Sequence, residues 1–252
     1  MREHKKLAAL GLACLLIFAI RMLPASVILA IVTPAEVGIF GVNGSIWQGS
    51  ARIISFNGQQ FRNTEWDLSI PRLFIGQVGG DFKTRWGDGF MEGFGTISLT
   101  GTIALGETRA SFNAASLESL LGIPRVGGQV TLQLSELEVK QNWPYRLVGS
   151  GEIRNFSSPL MGAGAADIIG NITLDFDTAT ETDGEAITGK LTDSGGPLEL
   201  RGNLLLRPPG SYTLKVRLKA RPEAPEALRK NLEFLGSPEA DGMRVFQLAG
   251  SI

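Results

Sequence analysis

Carboxylates are the side chains of this 252-residue chain with the most scope for chemistry. Asp81, Asp88 and Glu92 fall close together around one expected hairpin. Two carboxyl groups flanking a sugar bond can hydrolyse it, one as acid and the other as nucleophile or base. Turn and outward-face positions read more simply as solvated charge. Asp175, Asp177, Glu181, Asp183 and Glu185, with Gly184, form the most acidic stretch. Calcium requires oxygen ligands that converge on one loop. Here Asp175 and Asp177 share the outward face of an expected strand, and Gly184 does not stand five residues after the first aspartate. A solvated hairpin is expected, and no metal or cofactor site is assigned.

The remaining reactive types are scarce. The one histidine, His4, and the one cysteine, Cys14, both precede the expected folded domain. That domain therefore has no Ser-His-Asp or Cys-His site and no zinc site of histidine and cysteine ligands. Gly41-x-x-Gly44 lacks the Gly-Lys-Ser/Thr of a phosphate-binding loop. No residue is assigned a catalytic role, and the chain reads as a non-enzyme. Of the tryptophans, Trp66 and Trp86 fall on the apolar side of their strands and are expected in the core. Trp143-Pro144 is expected as an exposed rim element, because proline blunts a sheet edge.

The elements that would position these residues begin with an apolar N-terminus. Leu7 to Ile20 is unbroken, Arg21 interrupts it, and apolar residues continue to Val32. A transmembrane helix needs ~20 apolar residues, and residues 7–26 supply them if Arg21 snorkels to the far interface. Arg2, Lys5 and Lys6 would hold residues 1–6 in the cytoplasm. A cleaved signal peptide is the competing reading, but Leu23-Pro24-Ala25 is a poor cleavage site. Lipidation at Cys14 is disfavoured because the apolar run continues past it. Residues 27–40 are then a membrane-proximal connector, and residues 41–252 an exported, β-rich domain. Of 24 basic and 25 acidic residues, four and one lie in the first 21, so the remainder is acidic by four. A mildly acidic domain without a basic stripe gives nucleic acid no electrostatic footing.

Within 41–252, period-2 alternation dominates. Trp66, Leu68 and Ile70 form one apolar face. Val78, Gly80, Phe82, Thr84 and Trp86 form another, and Ile97, Leu99, Gly101, Ile103 and Leu105 a third. Further faces are Val130 to Leu134, Ile172 to Phe176, Leu198 to Leu206 and Tyr212 to Leu218. Strands apolar on one side only indicate an antiparallel sheet with one wet face. The 32 glycines exceed the ordinary ~7%. Turns are expected at Gly79-Gly80, Asp88-Gly89, Gly127-Gly128, Asp183-Gly184, Gly195-Gly196-Pro197 and Pro208-Pro209-Gly210. Two short helices are expected, one through Leu117, Leu120 and Leu121 stopped by Gly122, the other through Leu228, Leu232 and Leu235 stopped by Gly236. A proline two residues after each glycine suggests two related halves, about 41–122 and 123–252.

Gly44-Ser45-Ile46-Trp47-Gln48-Gly49 is the most specific local signature. It resembles the start of the β domain in the type II secretion system protein N family: glycine, a small residue, an aliphatic residue, tryptophan, any residue, glycine. Gly44, Ile46, Trp47 and Gly49 carry that likeness, and Ser45 stands where many members have threonine. Gly195-Gly196-Pro197-Leu198, Gly202, Tyr212, the Leu228 to Gly236 segment, a final strand from Gly242 to Gly250 and Leu23-Pro24-Ala25 are similar too. The resemblance implies a bitopic bacterial inner-membrane protein with a periplasmic domain, similar to the curved, taco-like sheets of AsmA-type proteins. It supplies no catalytic residues. The implied partners are other secretion components of the inner-membrane platform or the outer-membrane pore.

Two functions remain open on the residues. One is an accessory, structural part of a secretion machine that recruits partners by strand addition. The other is a lipid or apolar-ligand module whose groove is lined by Phe82, Trp86, Leu99, Ile103, Leu200 and Leu214.

Overall fold

The computed structural model describes residues 6, 11, 15, 18–19, 21–33, 37–56, 58–117, 126–141, 143–157, 169–177, 186–208 and 210–251. The protein is mainly β. Its described strands, fourteen in number, pair antiparallel throughout and are joined by few helices. Most of the apolar run from Leu7 to Ile20 lies outside the described residues. Among the described residues no helix is long and apolar enough to cross a membrane. Two compact units are present, Met1–Trp86 and Gly87–Ile252.

In the first unit helix α1 spans Ala25–Val32, so the stretch expected as a connector begins in a helix and ends in a strand. Strands β1 (Val37–Phe40), β2 (Asn43–Gly44), β3 (Gln48–Phe56), β4 (Gln59–Leu68) and β5 (Gln77–Trp86) follow. β3 pairs with β1, β2 and β4, and β4 pairs with β5. A four-residue helix α2, Ile70–Leu73, connects β4 to β5. Ile70 therefore starts a helix and does not extend the strand of Trp66 and Leu68. Its neighbour Pro71 explains the change, since proline suits the first turn of a helix and cannot donate to a sheet ladder.

Gly79 and Gly80 do not form a turn; both are buried inside β5. A Cβ on Gly80 would lie 1.9 Å from the Asp67 carbonyl oxygen, so glycine there serves the close approach of β4. Val78, expected inward, is exposed. Phe61 stacks on Trp86 with ring centroids 6.1 Å apart, and the Trp86 indole donates to Gln59 Oε1 at 2.9 Å.

The second unit is a meander of β6 (Gly89–Ser98), β7 (Ile103–Asn113), β8 (Gly127–Lys140), β9 (Trp143–Ser157), β10 (Gly170–Asp177), β11 (Ile187–Gly195), β12 (Leu198–Arg207), β13 (Ser211–Ala220) and β14 (Arg244–Ser251). Each strand pairs with the next. The alternation from Ile97 to Leu105, expected as one strand, is a hairpin instead. Gly101, at φ +78°, lets its amide donate to the Ser98 carbonyl at 3.0 Å, while the Ser98 amide donates to the Thr102 carbonyl at 2.9 Å. Gly127-Gly128 opens β8 at a register shift and is not a hairpin turn. Gly195, Gly196 and Gly210 do take positive φ at the expected turns.

The core of this unit is a cluster of Ile169, Leu198, Leu200, Val216, Leu218 and Leu232. Leu232 arrives on helix α3, Glu226–Glu233, which also buries Leu228. This is the helix expected from the Leu228, Leu232, Leu235 spacing, and Gly236 follows it at φ +95°. Near Leu117 the structure has a 3-10 turn, Ala114–Leu117. Leu120, Leu121 and Gly122 lie outside the described residues, as do Asp183 and Gly184.

Candidate functional site

The tryptophan-containing signature folds as a tight turn between β2 and β3. The Ser45 amide donates to the Gln48 carbonyl at 3.0 Å, and the Gln48 amide donates to the Ser45 hydroxyl at 3.1 Å. Gly44 has φ +85°, a left-handed conformation that only glycine adopts without strain. Gly49 faces no room for a side chain: a Cβ would stand 2.7 Å from the Asn43 carbonyl and 2.7 Å from the Trp66 ring. The Trp66 indole donates to the Ile46 carbonyl at 3.0 Å. The Leu68 amide donates to the Trp47 carbonyl at 2.6 Å, and the Ile46 amide to the Leu23 carbonyl at 2.9 Å. Pro24 forms an isolated bridge with Ser45. The turn thus ties the chain just after Met22 to the ends of β3 and β4, and Ala25 behind it is fully buried. These bonds fall on Leu23 and Pro24, inside the stretch 7–26 expected as an anchor.

A shallow cleft of about 420 Å³ opens beside this turn. Asn43, Gln48, Trp66, Asp67, Asp81 and Lys83 are among its lining residues. Asp67 and Asp81 face each other across β4 and β5, and the Gln48 amide group donates to Asp67 at 3.3 Å. Both carboxylates are exposed on the wet face. Asp88 is exposed in a turn, and Glu92 stands opposite Arg109 on β7. Asp175 and Asp177 share the outer face of β10, opposite Lys190 and Thr188. Glu181 and Glu185 lie outside the described residues. Among the described residues no three His, Cys, Asp or Glu side chains come together as a metal site.

The six candidate groove residues have separate surroundings. In the first unit Phe82 and Trp86 are half-buried on β5. In the second, Leu200 is buried in the core cluster and Leu214 packs against it. Leu99 is 87% exposed at the tip of the β6–β7 hairpin, and Ile103 is 43% exposed beside it. Trp143, expected on a rim, is buried at 8% exposure. Its indole N–H has no partner among the described residues, and Pro144 pairs within the sheet opposite Val139.

Two charged clusters were not foreseen from the sequence, because their members are far apart along it. The Arg221 guanidinium pairs with Asp193 and donates to the Gly196 and Leu198 carbonyls at 2.6 and 3.2 Å. It therefore pins the β11–β12 turn. Burial pushes the Asp193 carboxyl up, but the Leu200 amide and Arg221 outweigh it and hold the group below the ordinary aspartate range. Arg217 binds Glu239 at 2.5 Å and Asp241 at 2.8 Å. These contacts raise the Arg217 pKa, while the Met243 amide is the main cause of a lowered Asp241 pKa. Both clusters fasten loops to strands.

The last feature with functional scope is a sheet edge. Among the described residues β14 pairs only with β13, and its segment from Gln247 to Ser251 is exposed.

Comparison with known proteins gives a family match. A family model described as Type II secretion system (T2SS), protein N, matches residues 35–247. Two proteins named Type II secretion system protein N are similar along almost the whole chain. The one from Vibrio cholerae is 26% identical, covering 91% of each chain. The one from Aeromonas hydrophila is 25% identical, covering 100% of each. No solved structure matches.

Proposed function

The chain belongs to the type II secretion system protein N family, and from that premise we propose that it is an accessory, structural component anchored in the inner membrane. The apolar N-terminal run supplies the anchor, and the positive residues Arg2, Lys5 and Lys6 keep that end cytoplasmic. The β-rich part is then periplasmic and works by contacts with other secretion components, not by catalysis.

The observation that carries the contact role is the free outer edge of β14. An unpaired strand edge offers a row of backbone donors and acceptors, and an extended partner segment can add to it. The test is cross-linking in intact cells from a photoreactive residue at Gln247 or Ala249 of the full chain. Recovery of other secretion components from the membrane fraction is expected. Recovery of the chain alone, with lipid bound to its domain, would overturn the contact role in favour of an apolar-ligand module.

A further inference from the structure

Among the described residues of the first unit, the turn between α2 and β5 is the most exposed apolar feature. Phe74 is 88% exposed, Ile75 69% and Leu73 41%. Three consecutive large apolar residues at a loop tip are not the scattered exposure normal for a soluble surface. Arg72 stands beside them and donates to Gln77 Oε1 at 3.4 Å.

The register fixes where this tip lies. Gln48 at the start of β3 pairs with Asp67 near the end of β4, and Leu68 pairs with Gly80 near the start of β5. The Leu68 amide bonds to Trp47, and the Ile46 amide bonds to Leu23. The Leu73-Phe74-Ile75 tip therefore projects from the same end of the sheet as Leu23, where the apolar N-terminal run meets the domain.

We propose that this tip inserts into the outer, periplasmic-side leaflet of the membrane that holds the anchor. The inference rests on the anchored reading above. Because Leu23 and Pro24 are committed to the signature turn, an anchor can use only residues up to Met22. That leaves roughly 16 residues, about 24 Å as a helix, against a hydrocarbon core of ~30 Å. A short span is accommodated by thinning the bilayer around it, which brings the lipid surface close to the anchored end of the domain, where exposed side chains must suit lipid. Phe74, Ile75 and Leu73 do so. Arg21 and Arg72 supply positive groups for lipid phosphates.

The test uses the full chain, with Cys14→Ala, reconstituted in vesicles of phosphatidylethanolamine and phosphatidylglycerol. Phe74→Cys carries an environment-sensitive fluorophore. Gln60→Cys, exposed on β4 at the opposite end of the same sheet, is the control. The Phe74 probe is expected to be quenched by spin-labelled lipid and at least threefold less accessible to aqueous iodide than the Gln60 probe. Equal iodide access at both positions would overturn the insertion. Protection from iodide without lipid quenching would overturn it too, by assigning the tip to a protein partner. Vesicle flotation after alkaline washing separates the two readings. A chain that does not float refutes the anchor itself, whereas one that floats with an aqueous Phe74 refutes only the insertion.

Discussion

Gly49 is the residue at which the signature turn is least tolerant. Any Cβ there meets the Asn43 carbonyl, the Trp66 ring and the Ser45 carbonyl within 2.8 Å. Gly49→Val is expected to destabilise the first unit by about 1–3 kcal/mol, the usual cost of overpacking. Trp66→Phe leaves a smaller aromatic ring and loses the hydrogen bond to Ile46, and the loss of that bond is expected to cost about 1 kcal/mol. Urea titration followed by tryptophan emission measures both, since Trp47, Trp66 and Trp86 all lie in that unit. Asp193 provides a pH dependence in the second unit. Its folded pKa is depressed, so its contribution is complete above the ordinary aspartate value of ~4 and fades as pH falls through the folded value. Asp193→Asn is expected to lower stability at pH 7 and to flatten the dependence between pH 5 and pH 2. An unchanged profile in thermal melts across that range would contradict the assignment. The signature glycines Gly44 and Gly49 came into view through the resemblance to the protein N family. Sequence reading missed the Asp193–Arg221 pair because nothing local marks two ordinary charges 28 positions apart.

Helix α3 was legible because its apolar residues recur at 3.6-residue spacing and a glycine stops it. Leu232→Ala removes the side chain it contributes to the core cluster and is expected to cost about 2–5 kcal/mol. Lys230→Ala breaks only the exposed pair with Glu226 and is expected to cost under about 0.5 kcal/mol. Equilibrium denaturation of the two variants side by side checks the contrast. The β6–β7 hairpin was not legible. Ser98, Thr100 and Thr102 continue the strand alternation, yet their hydroxyls instead bridge across the turn, Ser98 to Thr100 at 2.7 Å. Only Gly101 betrays the reversal, and a lone glycine within a strand pattern equally signals a close approach, as Gly80 does. Gly101→Val at φ +78° is expected to cost about 1–3 kcal/mol. Hydrogen exchange at the ends of β6 and β7 reports it.

For the whole molecule, one-sided alternation predicted an antiparallel, mainly β protein, and the strands pair that way. The family too was legible, through one six-residue turn and the order of looser motifs after it. The edge proposed for partner contact was not legible. Edge position depends on which strand comes last in the pairing order, and that is a property of the assembled sheet. The anchored reading predicts that the full chain resists alkaline extraction from membranes. A chain lacking residues 1–22 is expected to be released, with centrifugation and immunodetection as the measurement. Pairing order has a further consequence for how such a protein is made. From β7 to β14 each strand hydrogen-bonds to the one before it, so no pairing waits for a strand further along the chain, and lengthening a connection adds little entropic cost. A domain that becomes available from its N-terminal end onwards can therefore add each strand to its own growing edge.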